Sequence, residues 1–152
     1  WLLRKTIIRL FTAHLALIGL ALFAAAIRPW EENFVHTKGV KGDWQDAVPV
    51  APLALSFLYN IFHTIYVFSR AKPLPAAVNG IVDFLVWAVL VPGIMFAAWG
   101  GTFRLWRQPV VESSGEMFCD IAQNMFSIEC FPALYRIGTL ELGGIVFGIL
   151  VW

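Results

Sequence analysis

Charged residues are scarce in this chain. Only 14% of its 152 residues are Asp, Glu, Lys or Arg, whereas a soluble domain carries about 25%. The 11 basic residues form no stripe of the kind that nucleic-acid binding requires. The composition therefore predicts no nucleic-acid partner and disfavours a soluble domain.

Motifs for catalysis and for ligand binding are missing as well. The sequence contains no glycine loop for phosphate, no nucleophile elbow and no zinc motif. The acids between residues 31 and 46 are irregularly spaced around His36, which is typical of a solvated loop rather than a metal site. We therefore expect a protein that is not an enzyme and has no metal and no cofactor.

Apolar residues dominate instead, at 59% of the chain and a mean hydropathy of +0.73. Four apolar segments extend over about residues 6–27, 49–69, 79–103 and 136–152. The third contains a single charge, Asp83, and as a helix it would cross a hydrocarbon core of roughly 30 Å. The sequence predicts an all-α protein, an integral membrane antiparallel four-helix transmembrane bundle that forms one domain over residues 1–152.

Basic residues predict how the bundle is oriented. The N-terminal flank and the turn around Pro73 together carry five Lys or Arg and no acid, whereas the other two connections mix their basic residues with acids. Short basic segments favour the cytoplasm. We expect both termini to be cytoplasmic, in the plasma membrane or an endomembrane. Because the chain begins at Trp1 and stops at Trp152 inside an apolar run, we also expect it to be part of a longer protein.

Four polar residues within the spans are predicted to lie at one depth. Counted from the cytoplasmic ends of their helices, His14, Asn60, His63 and Asp83 all lie roughly 8–13 Å into the bilayer. Ionisable groups in a membrane often mark a proton or ion path. The other interpretation is a hydrogen-bonded polar clasp that sets the register of the helices. We favour the clasp, and expect Asp83 to pair with His63, His14 or Asn60, or else with Asn79 or backbone near the inner interface.

A further interpretation concerns the two intramembrane histidines. His14 and His63, at matched depth on different helices, could be the axial ligands of a b-type haem. Small four-helix cytochromes usually have more histidines than this chain offers inside the membrane. A proton-coupled carrier or a haem redox protein that uses His14, His63 and Asp83 is therefore the alternative to a non-enzymatic protein.

Cys119 and Cys130 are the only cysteines, and both belong to the predicted extracellular or lumenal connection before the fourth span. An even number of cysteines in an oxidising compartment predicts a disulfide. The rival interpretation is a redox-active thiol pair. Such pairs use Cys-x-x-Cys, and the spacing here is much longer.

Three further residues in or near the fourth span have predicted structural roles. Gly144 and Gly148 form a small-xxx-small pair, which lets a neighbouring helix approach closely. Glu141 is expected near the outer interface, where Arg104 could form an ion pair with it. Arg107 and Arg28 remain alternative partners for the same carboxylate.

The chain resembles MARVEL-type four-span membrane proteins, and most of all their fungal members. The resemblance rests on the basic flank RKTIIRL, on the third span VNGIVDFLVWAVL, and on a cysteine pair ahead of the last span LELGGIVFGILVW. It implies cytoplasmic termini and a role in membrane apposition, vesicle trafficking or lateral membrane organisation. It implies no catalytic residue.

Together these observations predict a non-enzymatic tetraspan protein. It would act in membrane organisation or trafficking, or as a small accessory subunit of a larger membrane complex. Its expected partners are membrane lipids and other membrane proteins, or further copies of itself.

Overall fold

A computed structural model describes residues 2–34, 47–99 and 127–151, together with Val111, Gly115 and Cys119. It contains four helices, which we number α1 to α4: Leu2–Phe34, Val50–Arg70, Ala76–Trp99 and Pro132–Leu150. Each contains a segment long and apolar enough to cross a membrane. The structure thus confirms the predicted all-α four-helix transmembrane bundle.

Neighbouring helices run antiparallel. Gly19 of α1 lies against Leu53 of α2 and Phe147 of α4, whereas the earlier Arg9 reaches the later Asn60. The principal contacts join α1 to α2 and α4, and join α3 to the same two helices. Hence α1 and α3 lie diagonally opposite each other. We call the end that holds the start of α1 and the turn 71–75 the turn end.

The residues buried along each helix recur at alternating steps of three and four. In α2 they include Leu53, Ser56, Asn60, His63 and Val67. The other helices follow the same rule, with buried residues at Ala13, Ala16 and Phe23 in α1, at Val86, Leu90, Gly93 and Ala97 in α3, and at Leu134, Ile137, Glu141, Gly144 and Gly148 in α4. This seam is typical of left-handed membrane bundles.

Two glycines of α4 receive large side chains from different neighbours. A Cβ on Gly144 would lie 2.8 Å from ring carbons of Phe23 in α1. A Cβ on Gly148 would lie 2.8 Å from Cδ1 of Ile94 in α3. The small-xxx-small pair therefore packs against two helices rather than one.

Several helices extend a few residues beyond the predicted apolar spans. The first helix begins at Leu2 and continues to Phe34, into a segment that we had expected to be a loop. The third begins at Ala76 rather than at 79, and the fourth starts at Pro132 rather than at 136, while residues 100–103 of the predicted third span lie outside the described residues. Hydropathy marks where a span is apolar, whereas the helix is continued by backbone hydrogen bonds beyond that point.

Candidate functional site

A paired polar contact joins α1 to α3 across the diagonal of the bundle. Both ends of the Arg9 guanidinium donate to the Asp83 carboxylate, from Nη1 to Oδ1 and from Nη2 to Oδ2, at 2.6 Å each. This paired geometry fits a planar guanidinium to a planar carboxylate and makes the hydrogen bonds both strong and directional.

The expected partners of Asp83 were therefore wrong, because the basic N-terminal flank is part of the helix. Since α1 begins at Leu2, Arg9 lies two turns into it, about 10 Å along its axis. Arg9 follows the buried Thr6 by three residues and precedes the buried Ala13 by four. Side chains at these spacings share one helix face, so Arg9 points along the seam toward α2 and α3.

Tyr59 of α2 holds the guanidinium from a second side. The Arg9 guanidinium carbon lies 5.6 Å from the centroid of the Tyr59 ring, within the range of a cation–π contact. The Tyr59 hydroxyl donates a hydrogen bond to Oδ1 of Asn79, and the Asn79 amide lies 3.4 Å from the carbonyl of Leu74 in the turn. Tyr59 thus links Arg9 to the start of α3.

Asn60 completes the group. Its Oδ1 accepts a 3.3 Å hydrogen bond from Arg9, and its Nδ2 donates to the Ser56 carbonyl at 2.8 Å. We call Arg9, Asp83, Asn60, Tyr59 and Asn79 the polar clasp. Two of the four residues predicted to cluster, Asn60 and Asp83, belong to it.

His14 does not belong to the clasp, contrary to prediction. Its side chain is exposed on the outer surface of α1, and its Nδ1 lies 2.9 Å from the carbonyl of Leu10, one turn earlier. Position 14 follows the seam residue Ala13 directly and is rotated away from the interior. Matched depth in the membrane was not enough to predict that His14 joins the cluster, because depth does not tell which face of the helix a residue occupies.

His63 is buried, at 5% exposure, but lies one turn from the clasp residues of α2. Its ring centroid is 6.4 Å from that of Tyr59. Its Nδ1 is buried and has no hydrogen-bond partner among the described residues. The exposed His14 and the buried His63 thus occupy different surroundings, whereas bis-histidine haem ligation requires both rings to face one site.

The clasp opens onto a cavity of about 300 Å³. Asp83 is 49% exposed there, whereas Arg9 is only 20% exposed. The lining combines clasp residues with Thr12, Trp87 and Leu90. The carboxylate is therefore accessible from the side, while its positive partner is enclosed.

Two further predicted pairs involve residues before and within α4. A disulfide joins Cys119 to Cys130, as predicted. Just before α4 the Ser127 hydroxyl donates a hydrogen bond to Glu129, which holds the pKa of that exposed carboxyl below its usual range. Glu141 is buried on α4. Its predicted partner Arg104 lies outside the described residues, as do Arg107 and the side chain of Arg28.

No group of three His, Cys, Asp or Glu side chains in the described ranges could hold a metal ion. No protein-family model, curated protein or solved structure matches the chain.

Proposed function

We propose that the chain is a non-enzymatic tetraspan membrane protein that organises its membrane or serves as a small accessory subunit of a larger membrane complex. The observation that carries the proposal is the pairing of Arg9 with Asp83. Arg9 and Asp83 pair with each other across the diagonal of the bundle, which would hold α1 and α3 in register. A scaffold needs a bundle of fixed shape, and this contact supplies it.

The resemblance to MARVEL-type proteins adds an expectation about cellular role. Under this proposal the turn end faces the cytoplasm and the disulfide between Cys119 and Cys130 faces the outside or a lumen. Lateral membrane organisation or vesicle trafficking would then be the role. The many apolar side chains on the outer faces, such as Phe62, Phe84 and Trp87, offer surfaces for lipids or for other membrane helices.

The second candidate function is a proton-coupled carrier, favoured by the exposure of Asp83 to its cavity. A carrier needs a carboxylate that exchanges protons with a water-filled path. Against it stands the Arg9 guanidinium, which donates hydrogen bonds to both carboxylate oxygens. A relay through His14 would also need an imidazole directed inward, and this one is directed outward.

Flux measurements separate the two functions. The purified chain is reconstituted into liposomes that contain a pH-sensitive dye, and a pH gradient is applied. We expect proton entry at the rate of protein-free liposomes, for the wild type and for Asp83→Asn. Glu129→Gln serves as the matched control, because it removes an exposed carboxylate at the other end. Rapid proton entry that is lost in Asp83→Asn and kept in Glu129→Gln would contradict the scaffold proposal and support a carrier.

Gentle purification from native membranes tests the scaffold directly. We expect a reproducible set of membrane proteins, or further copies of the chain, to accompany the wild type. Asp83→Leu should weaken this association, since it releases α1 from α3. A chain that purifies as a monomer without any enriched membrane protein would contradict the proposal.

A further inference from the structure

His14 is a polar side chain that the bundle leaves on its outer surface in the middle of a span. It lies next to the midpoint of Leu3–Ile27, the part of α1 that is long and apolar enough to cross a membrane, and its side chain is exposed. Its Nδ1 lies 2.9 Å from the carbonyl oxygen of Leu10. Since a carbonyl only accepts, Nδ1 carries the ring proton in this contact and Nε2 is left as an acceptor. The described residues give Nε2 no hydrogen-bond partner.

An acceptor that faces hydrocarbon is unfavourable. Lipid tails offer no donor, and each polar group left unsatisfied at this depth costs free energy. The imidazole is too short to reach the head groups, as the long stems of Lys and Arg do, and it does not line the cavity at the clasp. Because ionisable side chains within membranes almost always face protein or a water-filled cavity, the position of His14 indicates that protein covers this face of α1.

We propose that the outer face of α1 binds the same face of a second copy of this chain. The inference rests on the proposed function, since it names the surface that associates and identifies the partner as a further copy. Six exposed residues form this face at alternating steps of four and three, and we call them the outer stripe: Ile7, Phe11, His14, Ile18, Ala21 and Ala25.

Symmetry makes a second copy the occupant that fits. Two copies inserted with the same orientation are related by a two-fold axis along the membrane normal, so their α1 helices run parallel and equal residues lie at equal depth. Steps of four and three are the a and d positions of a heptad, where each layer of a parallel pair holds the same residue from both helices. His14 of one copy therefore meets His14 of the other. A helix of another protein would need a polar group at this same depth, which every copy of this chain already has.

The two imidazoles can share a hydrogen bond. One ring keeps its Nδ1 proton on the Leu10 carbonyl and accepts at Nε2. The other ring takes the second neutral tautomer, with its proton on Nε2, and donates a hydrogen bond to the first. The pair then contains one unsatisfied ring nitrogen, whereas two separate copies contain two. A single polar layer of this kind fixes the register and the number of helices in a pair.

Side-chain size along the outer stripe matches such a pair. Ala21 and Ala25 have small-xxx-small spacing, which lets two helices approach closely, whereas Ile7 and Phe11 nearer the turn end are large. Parallel copies set small residues against small ones and large against large. The two helices then cross near Ala21 and separate toward the turn end, where the larger side chains fill the widening gap. This separation also keeps the exposed Arg4 of one copy away from that of the other.

Energy transfer between labelled copies in liposomes tests the inference. The two cysteines of the sequence are bonded to each other, so Lys72→Cys in the exposed turn provides one site for a dye. Donor-labelled and acceptor-labelled full chains are mixed in phosphatidylcholine liposomes over a series of lipid-to-protein ratios. We expect transfer above the level of randomly placed molecules that rises linearly with the acceptor fraction, as for two copies. Transfer at the random level would overturn the proposal, as would a curved dependence that indicates larger assemblies.

Variants of His14 test the polar contact. His14→Leu should weaken the association of copies about tenfold, which is the size of effect that polar contacts between membrane helices have in model peptides. It leaves a single copy intact, because the ring is exposed on the outside of the bundle. His14→Asn supplies both a donor and an acceptor and should retain most of the association. Equal association in the wild type and His14→Leu would overturn the proposal.

A matched pair of alanines tests which face associates. Ala21→Leu, in the outer stripe, should abolish association by keeping the two helices apart. Ala88→Leu adds the same side chain to the exposed face of the diagonally opposite α3 and should leave association unchanged. Both alanines are exposed, so neither change alters the packing of a single copy. Equal association in the wild type and Ala21→Leu, or an equal loss in Ala88→Leu, would overturn the proposal.

Failure of this inference is distinguishable from failure of the proposed function. A chain without transfer between copies that still enriches other membrane proteins on gentle purification would overturn the pair and leave the proposed function standing. Copies that associate through the outer stripe and also carry protons in the flux measurement would overturn the proposed function and leave the pair standing.

Discussion

The two halves of the bundle are held together by different means. Away from the turn end the interior is mostly apolar apart from the buried Glu141, and Gly144 and Gly148 of α4 receive Phe23 and Ile94. At the turn end, Arg9, Asp83 and Asn60 are joined by hydrogen bonds. Lipid is as apolar as leucine, so no hydrophobic effect drives helices together within the membrane. The comparison shows that this bundle uses close packing in one half and polar hydrogen bonds in the other, where a soluble protein would rely on the hydrophobic effect.

The closely packed half, around Gly144 and Gly148, should lose more stability on mutation than the turn end. Gly144→Val places a branched side chain where a Cβ would already lie 2.8 Å from the rigid ring of Phe23. We expect the free energy of unfolding to fall by about 3 kcal/mol, the upper range for overpacking. Denaturation with SDS in mixed micelles measures it.

Gly80 provides the control for that measurement. A Cβ at Gly80 meets nothing within 4 Å, so Gly80→Val should change stability little. Gly80→Ala should stabilise the helix, by up to about 1 kcal/mol. If Gly144→Val and Gly80→Val lowered the free energy of unfolding equally, close packing at Gly144 would not be what stabilises this half.

Breaking the clasp should have the next largest effect. Asp83→Leu leaves the Arg9 guanidinium without its carboxylate, and we expect a loss of about 2 kcal/mol. This is less than the roughly 3–5 kcal/mol of a fully buried pair, because Asp83 is half exposed. Asp83→Asn keeps a hydrogen-bond acceptor and should cost about half as much.

A double-mutant cycle isolates the pair from the rest of the clasp. Arg9→Leu combined with Asp83→Leu should recover most of the stability, because no unpaired charge then remains in the membrane. The exchange of Arg9→Asp with Asp83→Arg should recover part of it. Additive losses in the double variant would mean that the two side chains do not stabilise each other.

A smaller effect is expected from the hydrogen bond between Tyr59 and Asn79. Tyr59→Phe removes the hydroxyl but leaves the ring beside Arg9. Membrane hydrogen bonds average about 0.6 kcal/mol, and we expect that loss. Tyr66→Phe is the control on the same helix, since the described contact of Tyr66 is with the Phe62 ring. A loss above about 2 kcal/mol in Tyr59→Phe would exceed what this bond can supply.

The same contrast explains what the sequence could predict. Runs of some twenty apolar residues predict spans, and all four are present. Two cysteines in one connection predict the disulfide, which is also present. A small-xxx-small pair predicts close packing. It could not show that Gly144 and Gly148 face different helices, because that depends on how four helices are arranged around each other.

Arg9 shows why the partner of Asp83 was missed. A hydropathy profile treats a charge near the start of a span as part of its flank, and it carries no information about the face of a helix. The signal was nevertheless available, because Thr6, Arg9, Ala13 and Ala16 follow the three-and-four spacing of a buried seam. The same rule excludes His14, which lies one residue away from that seam. Helical spacing, rather than depth, decides which polar groups can meet.

Substitution of His14 should therefore have the smallest effect on stability, and comparing it with Asp83 tests whether helical spacing or depth decides which polar groups meet. Its ring is exposed and bonded to its own helix, so His14→Leu should change the free energy of unfolding by less than about 0.5 kcal/mol, as exposed substitutions usually do. Asp83→Leu, at similar depth, should cost several times more. Phe11→Leu, on the same exposed surface of α1, is the control. If His14→Leu destabilised the chain as much as Asp83→Leu, or abolished a Soret band in the purified protein, His14 would belong to the interior or to a haem site. The seam would then be an unreliable guide to which polar groups meet.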